Sequence, residues 1–176
     1  KKFLIYFIII FIALINKSLA EDFFFEGEEI QIINNGETLK SNKGVEISST
    51  SGVIITAQDF EYNKKNSELI VSKNVIVEDT TNNAIIKANK IRYLKNLEEI
   101  QTFEDTEIEI EKNIFIKTKN LIYLRNSNEI KSNYETTLTD KYQNNFNAEN
   151  FLFNINNKIL RGKNVTFKDK DGNVSF

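Results

Sequence analysis

Cysteine, histidine, proline, methionine and tryptophan are all missing from the 176 residues of this chain. Without cysteine there is no disulfide framework, no thiolate nucleophile and no Cys-ligated zinc. Without histidine there is no Ser-His-Asp triad and no imidazole base. Carboxylate-only chemistry stays open at this point. The absence of methionine from a chain that opens Lys1-Lys2 points to a trimmed initiator or a fragment. What is present reads as one globular domain, with 40% hydrophobic and 27% charged residues. Fourteen Phe, six Tyr and abundant Ile and Val favour strands. The 25 Asn, with many Lys and Ile, are the residue usage of an AT-rich genome.

The first twenty residues read as an address. A basic start at Lys1-Lys2 precedes thirteen apolar residues, Phe3 to Ile15, and Asn16-Lys17 closes the run. Ser18-Leu19-Ala20 then offers small residues at a cleavage site, the pattern of a secretory signal over 1–20. The run is short for a membrane span, which needs about 20 apolar residues. Cleavage after Ala20 is expected, with residues 21–176 as the exported domain; an uncleaved anchor is the alternative. Without Lys1, Lys2 and Lys17, 20 basic residues face 25 acidic ones, a net charge of −5. A mildly acidic exported protein has no basic patch for nucleic acid, and that class drops out.

A period of about thirty residues organises the rest. Tyr62, Tyr93, Tyr123 and Phe153 recur at spacings of 31, 30 and 30. Two residues before each stands Phe60, Ile91, Leu121 or Phe151; five before, Ala57, Ala88, Thr118 or Ala148; seven before, Ile55, Ile86, Ile116 or Phe146. Seven after comes Leu69, Ile100, Ile130 or Leu160. A weaker earlier copy supplies Phe25, Gly27, Ile30, Ile32 and Leu39. Within each copy apolar and polar residues alternate, which is strand periodicity. Between the Ile and Tyr columns the phase slips by one in every copy, implying a bulge or sharp bend. Asn/Lys turns follow the Tyr column, and a second strand places Val45 and Ile47, Val75 and Val77, Ile108 and Ile110, Leu138, then Val165 and Phe167 inward. One unit cannot bury its apolar face alone, but stacked units can. The fold class expected is an all-β antiparallel jellyroll of about five repeats, with no helix after the signal. The last copy stops in strand pattern at Val174-Ser175-Phe176, as if the next strand came from elsewhere.

The pattern I-x-A-x-x-[FIL]-x-Y, an Asn/Lys turn, then NVIVED or NVTFKD, resembles the OstA-like domain of the lipopolysaccharide-transport proteins. The clearest copy is Ile55 to Asp79, ITAQDFEYNKKNSELIVSKNVIVED; the next, IKANKIRYLKNLEEIQTFEDTEIEI, keeps its columns less cleanly. That domain occurs alone in the periplasmic bridge of the LptA type and at the N-terminus of outer-membrane assembly proteins of the LptD type. The tandem copies look more like the LptD type, although its usual cysteines and its barrel are absent. The resemblance implies a β-jellyroll in the periplasm that carries acyl chains of lipopolysaccharide in an apolar groove. It implies partner jellyroll domains stacked through edge strands, and an outer-membrane barrel if the chain is a fragment. No cofactor and no metal are implied, and no enzymatic activity. The groove candidates are Ile55, Phe60, Tyr62, Ile86, Ile91, Tyr93, Ile100, Ile116, Leu121, Tyr123, Ile130, Phe151 and Phe153. These same residues also suit a plain core.

Other signals are weaker. Glu107, Glu109 and Glu111 alternate with Ile108 and Ile110, which puts the acids on the outer face of one strand as a solvated surface. Asp169-Lys170-Asp171-Gly172 opens like a calcium loop but lacks the later ligands, so a turn is expected. Two Asn-Val-Thr/Ser sequons carry no weight in so Asn-rich a chain. A carboxylate hydrolase would need an inward pair of acids, and the inward columns show none. The remaining alternative is a β-solenoid stalk or adhesin repeat.

Overall fold

The computed structural model describes residues 23–175; the signal expected over 1–20 lies outside them. Sixteen strands run through the described residues, joined by turns and two single-turn 3-10 segments. In chain order they are β1 (Phe24–Glu26), β2 (Gln31–Ile33), β3 (Thr38–Ser41), β4 (Val45–Ser48), β5 (Val53–Ala57), β6 (Asp59–Asn63), β7 (Glu68–Asp79) and β8 (Ala84–Leu94). There follow β9 (Glu99–Ile110), β10 (Ile114–Lys119), β11 (Ile122–Leu124), β12 (Glu129–Ser132), β13 (Thr136–Thr139), β14 (Asn145–Asn154), β15 (Ile159–Lys168) and β16 (Val174–Ser175). The fold is all-β, and its pairings are antiparallel, as in a jellyroll. A solenoid coil would instead lay its strands parallel.

One continuous sheet is folded over into two halves that face each other. The first half runs β2-β3-β6, then the N-terminal part of β7, the C-terminal part of β8, the N-terminal part of β9, β11, β12 and the ends of β14 and β15. The second runs β1-β4-β5, then the other parts of β7, β8 and β9, followed by β10, β13, β14, β15 and β16. The long strands cross from one half to the other along a spine. The hairpin turns within each half lie on the opposite side, where the two halves meet at a mouth.

The phase slip read from the sequence is this spine. Register breaks between Ser72 and Val75 in β7, and between Ala88 and Lys90 in β8. The chain turns there through left-handed residues, among them Lys73 (φ 68°), Asn74 (φ 54°), Glu104 (φ 65°), Asn120 (φ 45°), Asn150 (φ 46°) and Asn164 (φ 50°). Asn tolerates that region better than most residues, so its frequency here has a structural use. The halves converge at the spine, and the inward column there is small or hydroxylic: Val75, Ala88, Thr106 and Thr118 lie in line, with Thr136 opposite Ala148. Hydroxyls beside this column bond to groups the bends release. Thr102 Oγ1 accepts the Leu121 N–H at 2.9 Å, and Ser132 Oγ donates to the Lys119 carbonyl at 2.9 Å. At Gly162 a Cβ would stand 2.7 Å from the Ala148 methyl, so only glycine lets β15 lie this close to β14.

Two in-register ladders fill the space between the halves. In the first, Leu39, Tyr62, Leu69, Tyr93, Ile100, Tyr123, Ile130, Phe153 and Leu160 are successive cross-strand partners. In the second, Phe25, Ile47, Ile55, Val77, Ile86, Ile108, Ile116, Leu138, Phe146 and Phe167 pair in the same way. Aromatic and β-branched side chains opposed across strands are favourable pairs. Three expectations need correction. Ile32 belongs to the first ladder by register, yet it is 67% exposed, because among the described residues β2 pairs only with β3. Val165 is 39% exposed and Phe167 half-buried, because among the described residues β15 has only the two-residue β16 on its far side. Glu111 lies in the turn after β9, not on that strand's face.

Candidate functional site

The groove candidates all point into the space between the halves. Ile55, Ile86, Ile91, Tyr93, Ile100, Ile116, Leu121 and Tyr123 have no measurable exposure, and Phe60, Tyr62, Ile130, Phe151 and Phe153 are nearly as enclosed. In the middle of the domain they touch one another as a packed core. The picture changes towards β15, none of whose residues is buried. There the inward Phe146, Leu160 and Phe167 are half-buried, while Phe151 and Phe153 on β14 remain covered. Phe146 and Phe167 face each other with ring centroids 5.0 Å apart. Between β14 and β15 the interior therefore presents a partly open apolar surface.

At the mouth, sequence reasoning missed a buried polar cluster that ties the halves together. Arg125 follows β11 in the first half, and Asp79 ends β7 in the second; their side chains are 6% and 0% exposed. Arg125 Nε donates to Asp79 Oδ2 at 2.8 Å and Nη2 to Oδ1 at 3.1 Å, a bidentate pair. Nη2 also reaches the Ser51 carbonyl at 2.9 Å, and Nη1 the Ser51 hydroxyl at 3.1 Å. Tyr123 donates its hydroxyl to Asp79 at 2.9 Å, and Tyr93 donates to Glu98 at 2.7 Å. Glu98 receives Arg125 and Lys95 as well, and Lys95 Nζ donates to Ser51 Oγ at 2.9 Å. Arg125, Lys95, Glu98 and both tyrosines come from the first half, Asp79 and Ser51 from the second. The cluster is a clasp across the mouth. Its Asp79 also corrects the expectation that no acid points inward.

Burial alone would raise the Asp79 carboxyl, but hydrogen bonds from Arg125 and Asn82, with the guanidinium charge, outweigh it and hold the group below its ordinary value. Glu98 is likewise desolvated, and Lys95 and Tyr93 hold it below its ordinary value. Burial, together with Asp79 and Glu98 as acceptors, pushes the hydroxyls of Tyr123 and Tyr93 far up, so both remain donors. Asp79 therefore stays ionised with both oxygens engaged, which leaves it nothing to offer as a general acid or base. Its turn supports it further, because Oδ1 accepts the Thr81 and Asn82 N–H groups at 3.1 and 3.2 Å. Asp140 and Asp169 make the same kind of turn at the same place in their copies, without a cation partner inside.

The repeat shows where the clasp stops. Two residues beyond each Tyr or Phe stand Lys64, Lys95, Arg125 and Ile155, and each donates its backbone N–H to the preceding turn. Lys64 is exposed, Arg125 is buried in the clasp, and Ile155 is 3% exposed in an apolar setting. At the other end Phe23 packs edge-on against Tyr62 and Tyr93, with centroids 5.2 and 5.5 Å away. The mouth is aromatic at one end, ionic in the middle and aliphatic at the last copy. Among the described residues no group of three or more acidic side chains could hold a metal ion, and no helix is long and apolar enough to cross a membrane.

No family model and no curated protein sequence matches the chain. Among solved structures, it overlays on LptH, the LptA-homologous periplasmic component of the lipopolysaccharide transport device of Pseudomonas aeruginosa. That overlay has a TM-score of 0.45 at 10% identity, over 80% of each chain. The TCP10 domain of CPAP from Danio rerio gives a TM-score of 0.17 at 11% identity, over 84% of this chain and 98% of that one.

Proposed function

We propose that the domain carries acyl chains of lipopolysaccharide across the periplasm, holding them between its two sheet halves while the phosphorylated sugar stays outside. The observation that carries this reading is the aromatic–aliphatic ladder from Leu39 to Leu160, continuous and in register, which is sealed in the middle and half-open at β15. An acyl chain buried there gains roughly 0.8 kcal/mol per methylene, so about ten buried methylenes contribute on the order of 8 kcal/mol towards holding a lipid. The repeat's resemblance to OstA-like domains supports the same reading. The LptD type of protein, with an outer-membrane barrel in the same chain, is the finer version of it. Along β15, backbone groups beyond the short pairing with β16, and the exposed Ile159 and Val165, suit pairing with the strand of another jellyroll domain. The solenoid or adhesin alternative has no observation in its favour.

The test is photo-crosslinking of the full chain to lipopolysaccharide, with benzoylphenylalanine placed singly at Phe153, Leu160 or Phe115. Phe153 and Leu160 lie inside and take no part in the clasp; Phe115 lies on the outer face at 40% exposure. Capture at the two inner positions and not at Phe115 is expected. Equal capture at Phe115, or none inside, refutes the reading.

A further inference from the structure

Buried ion pairs are poor devices for stability alone, because desolvation takes back most of what attraction gives. This chain carries its own control. The fourth copy has Phe153 and Ile155 at the places of Tyr123 and Arg125, and both are covered as completely as their polar counterparts. The mouth can thus be closed with apolar side chains. In the middle it is closed instead by a cluster whose parts can exchange partners. Arg125 and Lys95 supply two cations, and Asp79 and Glu98 two anions. Every bond from Arg125, Lys95 and Tyr123 to Ser51 or Asp79 must break for the halves to part there. Asp79 also lines a cavity of about 450 Å³, together with Thr80, Ala84, Glu109 and Lys112. A carboxylate released by Arg125 keeps the hydrogen bonds from Thr81 and Asn82 in its own turn.

We propose that the clasp is the loading gate of the interior: the halves part sideways between Asp79 and Arg125, and the freed guanidinium takes the anionic head of the entering amphiphile. The inference rests on the carrier reading and adds the route and the head-group chemistry. A planar guanidinium already holding a carboxylate bidentately can hold a phosphate in the same way, so the entering head replaces Asp79 without leaving Arg125 unpaired in an apolar wall. The ligand class is then an acyl chain bearing a phosphate or carboxylate close to its root. On the outer face of β10, Lys117 and Lys119 pair instead with exposed Glu107 and Asp105.

The absence of native cysteine makes the test clean. Ser51→Cys with Lys95→Cys puts two thiols across the mouth at side chains whose tips now touch at 2.9 Å. The full chain carrying both is compared before and after joining with a short bismaleimide. The probes are two fluorescent 16-carbon acyl compounds, one with a phosphate head and one with an uncharged glycerol head, followed by stopped-flow fluorescence. The unlinked form is expected to load the phosphate probe at least tenfold faster than the linked form. Its preference for phosphate over glycerol is expected to be at least tenfold in affinity and to disappear in Arg125→Gln. Equal loading rates with and without the link overturn the gate while leaving the carrier reading intact. A phosphate preference that survives in Arg125→Gln, or is absent from the wild type, overturns the head-group assignment. Failure of the wild type to load either probe defeats the carrier reading, and the gate with it. Should Arg125→Gln not fold, Arg125→Lys keeps the charge without the fork and is expected to lose most of the preference.

Discussion

Strands β8 and β15 follow the same plan and end up in opposite conditions. Both cross the spine through a bend, and both direct apolar side chains inward on either side of it. In β8 Ala84, Ile86, Ile91 and Tyr93 are buried, whereas β15 has no buried residue. The difference lies in the neighbours. β8 has a long strand on each side; β15 has β14 on one side and two residues of β16 on the other. Periodicity decides which way a side chain faces, and the next strand decides whether it is covered. The closed middle is where the ionic clasp sits, and the half-open end is where the apolar interior is accessible.

The sharpest way to break this comparison is to remove a charge from the closed region. Arg125→Ala strands the Asp79 carboxylate in a buried site and is expected to lower stability by about 3–5 kcal/mol. Asp79→Asn combined with Arg125→Ile, which copies the fourth repeat's aliphatic residue and keeps the turn, is expected to recover more than half of that. Urea titrations of the three proteins check it, and a loss below about 1 kcal/mol for Arg125→Ala would show that water reaches the clasp freely. Apolar truncation probes the two regions more evenly. Ile100→Ala in the sealed ladder should cost about 2–5 kcal/mol. Leu160→Ala, on the same ladder but half-exposed, should cost under about 1.5 kcal/mol. Similar losses at both positions would mean that β15 is covered in solution.

Tyr123→Phe removes one hydrogen bond to a buried carboxylate and should cost about 1.5–3 kcal/mol, without a cavity, because Phe occupies the equivalent place in the fourth repeat. The acid limb of stability follows the same groups. Asp79 faces Arg125, Tyr123 and Asn82; Glu98 faces Lys95, Tyr93 and Arg125. Both carboxyls lie below their ordinary values of 3.8 and 4.5 in the folded chain, so their contribution is complete at neutral pH. It is lost as pH falls through the folded values. Thermal melts between pH 7 and pH 3 should therefore fall more steeply for the wild type than for Asp79→Asn; parallel curves would contradict the pairing. Lys117→Ala on the outer face breaks only an exposed pair with Glu107 and should change stability by at most about 0.5 kcal/mol.

The columns and the phase slip were legible because every repeat states them again, and a one-residue slip turns a whole apolar set over. Exposure at the margins was not. Ile32 and Val165 carry the same signal as their buried counterparts, and nothing in a period tells where the sheet runs out of neighbours. The clasp escaped for another reason. Asp79 and Arg125 stand 46 residues apart, each beside Asn-rich turn residues that look solvated. A signal existed in the polar columns: Lys64, Lys95 and Arg125 recur at one place in the repeat, and Asp79, Asp140 and Asp169 at another. Those columns mark positions beside the mouth without fixing the pair, since Lys64 is exposed and Asp140 and Asp169 bond only within their own turns.

Hydrogen exchange of the full chain with and without lipopolysaccharide tests most directly the claim that lipid lies between the halves where they are half-open. The amides of β14 and β15, from Phe151 to Phe167, are expected to gain protection in the presence of lipid. Those of β10 around the outward Phe115 are expected to stay unchanged. Protection confined to β10, or no change along β14 and β15, would contradict it.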